Sequence, residues 1–185
     1  QACCPAVTAR AIGRHPDTSL LRQHYPKEKQ RDFCLFLLRE MGYDFEAGRM
    51  DESVHPFATG LNIGDVRITT KFVENDLACS IFSVIHEGGH ALYEQKISPE
   101  LNGTLLCTGT SMGIHESQSR LWENMIGRSR EFWNRYFPEL KARFPEALGQ
   151  VSVEAFYRAI NHASPSLIRI DADELTYNLH ILIRY

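Results

Sequence analysis

The sequence lacks a membrane-spanning run: its longest apolar stretches, such as CLFLL at 34–38, fall far short of the roughly 18 residues a spanning helix needs. No signal-peptide pattern opens it, and the expectation is a soluble protein. Paired cysteines are missing too. The five cysteines, at 3, 4, 34, 79 and 107, form an odd set without CxxC spacing. That argues against a disulfide framework and a thiolate metal site, and it fits a reducing, cytoplasmic setting. A strong excess of one sign of charge is missing, with a net charge of -3, so no surface suited to nucleic acid is expected. No internal repeat, low-complexity tract or linker divides the chain.

What is present is ordinary globular material, 43% hydrophobic and 23% charged, in a length of 185 residues that suffices for one domain with a sizeable core. The chain starts at Gln1 without a methionine and stops within LTYNLHILIRY, where no Gly, Asn or Pro supplies a C-cap. A piece of a longer protein is expected.

Helical spacing of Phe33, Phe36, Leu37 and Met41 predicts a helix over 27–41, capped by Gly42. From 50 to 72 the period becomes two, with Val66, Ile68 and Thr70 alternating with polar neighbours, which predicts one or two short strands. Asn75 or Asp76 can cap a helix reaching about Lys96. A Gly/Thr/Ser-rich loop over 102–113 leads to a second helix, IHESQSRLWENMIG, which Gly127 ends or bends. Residues 129–147 read as short helical pieces broken by Pro138 and Pro145, Ser152 can cap the next helix, and Pro165 opens a final one. Trp122, Trp133 and Phe132, Phe137, Phe144 and Phe156 lie in these helical segments and are expected as packing.

One pentapeptide stands apart from this pattern: HEGGH at 86–90. Residues four apart lie on one helix face, so His86 and His90 can aim two imidazoles, good zinc ligands, at a single ion. Glu87 follows about 100° round the helix, where a carboxylate reaches an attacking water rather than the ion, the position of a general base. With eight His and this chain's Glu content, the pattern is expected by chance only about 0.03 times. Gly88 and Gly89 each cost about 1 kcal/mol relative to alanine inside a helix, so something close by is expected to need the space.

A catalytic zinc takes three protein ligands and leaves one position open, so a further ligand is required. Glu116 on the second helix is the first choice, with His115, Glu123 and Asp76 as alternatives. The expected chemistry is hydrolysis of peptide bonds by metal-activated water, with Glu87 carrying the proton. Gln118, Asp171 and Asp173 are candidates to orient the ligands from behind.

In order along the chain, HPF at 55–57, DVRIT at 65–69, HEGGH, HESQ at 115–118 and IRIDAD at 168–173 resemble the thermostable, Taq-type metallocarboxypeptidase family. GRMD at 48–51, SRLWENMIGRS at 119–129 and ADELTYNLHI at 172–181 extend the resemblance over nearly everything after about Tyr25. It implies a mainly helical gluzincin fold with a small sheet beside the active-site helix, a homodimer, zinc or cobalt as the metal, and stepwise release of C-terminal residues from peptides. Residue by residue, it assigns His86, His90 and Glu116 as metal ligands and Glu87 as catalytic base. The family's GxxQDxHW motif and its long N-terminal helical region have no counterpart here, so residues 1–185 read as a single partial catalytic domain.

An enzyme that trims C-termini must hold a free carboxylate, which arginine does with paired charge-assisted hydrogen bonds. Arg67 and Arg169 are the candidates, against the plainer reading that Asp65 holds Arg67 and that Asp171 or Asp173 holds Arg169 in internal ion pairs. His55, in a rigid dipeptide before Pro56, is a candidate donor to the tetrahedral oxyanion.

Overall fold

In α1 (Lys27–Met41) the apolar spacing becomes a buried face of Phe33, Cys34, Leu37, Leu38 and Met41. The helix ends where Gly42 adopts φ 91°, a left-handed conformation open to glycine without steric cost. The computed structural model describes residues 16–162 and 177–183.

Three short strands follow. β1 (Met50–Glu52) runs parallel to β3 (Asp65–Thr70), and β3 pairs antiparallel with β2 (Phe57–Asn62), which gives the order β1–β3–β2. The expected period of two holds on β3: Val66, Ile68 and Thr70 are buried while Arg67 points to solvent. Thr69 is buried as well, because its hydroxyl accepts from the Ser53 hydroxyl at 2.7 Å and from the Phe57 N–H at 3.0 Å.

β3 packs on α2 (Leu77–Gln95), the helix that carries HEGGH. The Asp76 carboxylate caps it, accepting from the Cys79 N–H at 3.3 Å. Leu77, Ile81, Val84, Ile85 and Ala91 are fully buried along it. Gln30 of α1 sits wholly inside against this helix. Its amide donates to the carbonyls of Tyr25 and Val73 and accepts from the Ser80 hydroxyl at 2.6 Å, so the buried polar group is satisfied.

The next expected helix divides. α3 (Met112–Arg120), capped by Ser111, runs into a π-helical segment over Leu121–Ile126, in which the Gly127 N–H bonds the Trp122 carbonyl five residues back at 2.7 Å. Such widened turns recur at functional sites.

The expected break at Pro138 does not occur: α4 (Arg130–Arg143) is continuous with Pro138 inside. Pro138 and Asn134, whose carbonyl loses its partner, both face solvent, where water can take the missing donor's place. Buried Phe132, Trp133, Phe137 and Leu140 hold the helix on both sides of the defect. Pro145 opens α5 (Pro145–Leu148), and Ser152 caps α6 (Val153–Ile160). Phe156 of α6 meets Trp133 edge-on at 4.6 Å between centroids, and the Trp133 N–H donates to the Gly127 carbonyl at 2.7 Å. Of the final helix, α7 (Tyr177–Leu182) is described; its expected start at Pro165 lies outside the described residues. The architecture is mainly α with a small sheet beside the HEGGH helix, and no described helix is long and apolar enough to cross a membrane.

Candidate metal centre

His86 and His90 stand one turn apart on α2 with ring centroids 4.9 Å apart. The two glycines between them explain how neighbouring helices come so close. A Cβ on Gly88 would lie 2.9 Å from Leu38 Cδ2 and 3.0 Å from Met41 Cε of α1. On Gly89 it would lie 2.8 Å from the Cα of Ser119 and 3.0 Å from the Gln118 carbonyl oxygen of α3. The space expected around the glycines is thus occupied on two sides, and the contact at Gly89 brings α3 against the histidines.

The consequence is a convergent set of ligand atoms. Glu116 Oε2 lies 3.6 Å from His86 Nε2 and 3.4 Å from His90 Nε2. One ligand atom from each of the three residues falls within 4.8 Å of the others. Bonds of about 2.0–2.2 Å in a tetrahedral zinc site put neighbouring ligand atoms roughly 3.3–3.5 Å apart, so the arrangement fits a divalent cation with little movement. Two imidazoles and a carboxylate are also a donor set of the right chemistry.

Behind the rings stand other groups. Glu123 Oε2 lies 2.8 Å from His86 Nδ1, and Arg120 and Arg128 hold the Glu123 carboxylate at 3.4 and 3.8 Å. His115 Nδ1 lies 2.7 Å from His90 Nδ1. Among the alternatives for the third ligand, Glu123 and His115 therefore occupy the far side of the imidazoles, and Asp76 is committed to the helix cap and to Arg22. Arg120 also fixes Glu116, donating to its Oε1 at 2.9 Å.

These contacts set the protonation tendencies. The Glu116 carboxyl is held down to about 2, chiefly by the His90 hydrogen bond, against burial and with His86 and Arg120 assisting. Burial disfavours the charged ring of His86, but the hydrogen bond and charge of Glu123 outweigh it and raise its pKa. Glu87 is only 8% exposed, and burial pushes its carboxyl upward against the pull of His86 and His90. A carboxyl shifted toward neutrality is suited to taking a proton.

Among the described residues, neither Arg67 nor His55 makes a hydrogen bond or ion pair with this cluster. Arg67 grips Asp65 with two hydrogen bonds of 2.7 Å and leaves half its side chain exposed, as the ion-pair reading expects. His55 is exposed between β1 and β2, its carbonyl accepting from the Ser53 hydroxyl at 2.6 Å. Arg169, Asp171 and Asp173 lie outside the described residues. Glu94, absent from the sequence candidates, sits 2.6 Å from His115 Nε2. Its position four residues beyond His90, on the same helix face, is the signal by which it could have been found.

Residues 2–185 match the protein family described as Carboxypeptidase Taq (M32) metallopeptidase. The chain belongs to the M32 family. It is 54% identical over 175 residues to Carboxypeptidase 1 of Bacillus subtilis (strain 168), covering 95% of this chain and 35% of that protein. It is likewise 54% identical over 172 residues to Thermostable carboxypeptidase 1 of Thermus thermophilus, covering 93% of this chain and 34% of that one. The crystal structure of the M32 carboxypeptidase from Deinococcus radiodurans R1 superposes with a TM-score of 0.93 at 49% identity, over 100% of this chain and 37% of the other. The chain thus spans about a third of the length of these relatives, and within that third the M32 fold is the same.

Proposed function

We propose that this M32 chain is part of a zinc-dependent metallocarboxypeptidase that releases C-terminal amino acids from peptides, with cobalt as the alternative metal. The observation that carries the reading is the convergence of His86, His90 and Glu116 around one point, with Glu87 buried between the two histidines in sequence. His86 and His90 would offer Nε2, and Glu116 a carboxylate oxygen. A bound divalent cation supplies Lewis-acid polarisation of the scissile carbonyl and lowers the pKa of a coordinated water.

The chain's own residues do the rest. Glu87, as base, takes the proton of the attacking water and delivers it to the departing amine, so no covalent acyl-enzyme is required. Arg120 keeps Glu116 in its ligand orientation. Arg67 and Arg169 are proposed to receive the substrate carboxylate; for Arg67 this means exchanging Asp65 for the substrate. His55 is proposed as a donor to the oxyanion. The unpaired Cys34, Cys79 and Cys107 support a reducing, cytoplasmic setting. Residues 1–185 are read as a single partial catalytic domain, a homodimer being the proposed assembly of the whole protein.

The test pairs metal content with end-trimming. Stoichiometric zinc that disappears in His86→Ala, together with single residues lost from the free C-terminus of a peptide, is the expected result. Metal retained in His86→Ala, or equal cleavage of a C-terminally amidated peptide, overturns it.

A further inference from the structure

Behind His90 stands a second imidazole with a carboxylate of its own. His115 Nδ1 lies 2.7 Å from His90 Nδ1, and His115 Nε2 lies 2.6 Å from Glu94 Oε1. The side chains of His90, His115 and Glu94 are only 14%, 18% and 18% exposed. The surroundings are built around this trio. A Cβ on Gly109 would lie 2.6 Å from His115 Cδ2 and 3.2 Å from Glu94 Oε1, so the loop before α3 can cross there only as glycine. Thr110 pins that loop, its N–H donating to the Tyr93 hydroxyl at 3.1 Å, and the Tyr93 ring meets His115 edge-on at 5.1 Å between centroids.

Counting protons gives this chain a direction. A neutral histidine that presents Nε2 to a cation carries its proton on Nδ1. For His90 that proton points at His115 Nδ1, which accepts only as a bare lone pair. The His115 proton must then sit on Nε2, where the Glu94 carboxylate accepts it. With a cation bound, donors therefore run from His90 to His115 to Glu94, and His90 Nε2, which hydrogen-bonds Glu116 in the metal-free site, is left bare for the ion.

We infer that His115 and Glu94 are positioning residues: they form a relay that locks His90 in its metal-binding tautomer, with an imidazole interposed between ligand and carboxylate. Glu123 does the same for His86 in a single step. The inference rests on the reading of His86, His90 and Glu116 as metal ligands.

The experiment uses the chain of 185 residues, with Zn2+ affinity read by titration calorimetry and histidine tautomers read by 15N NMR with Zn2+ bound. His115→Phe keeps a ring against Tyr93 but accepts no proton, and it should weaken Zn2+ binding by about 10- to 100-fold. His115→Gln, whose amide oxygen accepts from His90 Nδ1–H, should stay within a few-fold of the parent. Glu94→Ala should weaken binding like His115→Phe. Parental affinity and unchanged ring signals in both His115→Phe and Glu94→Ala overturn the relay. Where a variant fails to fold, the parent's own spectrum decides: a proton on His115 Nδ1 overturns the relay, and one on His115 Nε2 supports it. A parent that binds no Zn2+ overturns the underlying site reading, and the relay falls with it.

Discussion

Gly89 of α2 and Ser119 of α3 meet backbone to backbone, with no room for a methyl group between them. Because the obstacles are a Cα and a carbonyl oxygen, no side-chain rotation relieves a larger residue. Gly89→Ala should push α3 outward, cost about 1–3 kcal/mol of stability through overpacking, and weaken metal binding by at least about tenfold through displacement of Glu116. Gly88→Ala presses only on the flexible ends of Leu38 and Met41 and should weaken metal binding less. Calorimetric titration of both variants checks this, and equal affinities would refute it.

Glu87→Gln removes the proposed base without touching the ligands. The variant should hold stoichiometric zinc while kcat for C-terminal trimming falls by about 10²–10⁴-fold. Loss of metal in this variant would instead place Glu87 among the ligands.

Without metal, the site should make stability depend on pH. The folded-state pKa of Glu116 is depressed from 4.5 to about 2, so its contribution is present above 4.5 and lost as pH falls through that window. His86 is raised above 6.5, so its contribution is full below 6.5 and lost as pH rises through the raised value. Melting curves with chelator present should show the acid loss shrinking in Glu116→Gln and the alkaline loss shrinking in Glu123→Gln. Identical pH profiles for both variants and the parent would show that these pairs do not govern the dependence.

Pro138 interrupts α4 on its solvent face, where the Asn134 carbonyl has lost its donor. Pro138→Ala restores that bond and should raise stability by about 1–3 kcal/mol, seen as a shift of the denaturation midpoint with an unchanged slope. A destabilised variant would mean that the ring makes a contact worth more than the bond.

Much of this arrangement follows from local rules in the chain. Gly42, Asp76 and Ser152 cap the helices they are spaced to cap, because a cap needs only its own few residues. Pro138 is the counterexample: propensity predicts a break, but burial of Trp133 and Phe137 before it and Leu140 after it outweighs one hydrogen bond exchanged for water. The Glu94–His115 pair spans 21 residues of sequence, so the i+4 spacing from His90 marks the face Glu94 lies on but not its partner.

By itself the sequence determined that His86 and His90 share a helix face, because 3.6 residues per turn is a property of the backbone. It also carried the ordered motifs that place the chain in the M32 family. Among Glu116, His115 and Glu123, all on the one segment after the loop, spacing does not say which side chain reaches the ring Nε2 atoms. Only the packing of α3 against Gly89 decided it: that close approach sets Glu116 against the ring Nε2 atoms and leaves His115 and Glu123 at the Nδ1 side of the imidazoles. Contact between distant segments is set by the shapes of both surfaces at once, and no single stretch of sequence holds that information.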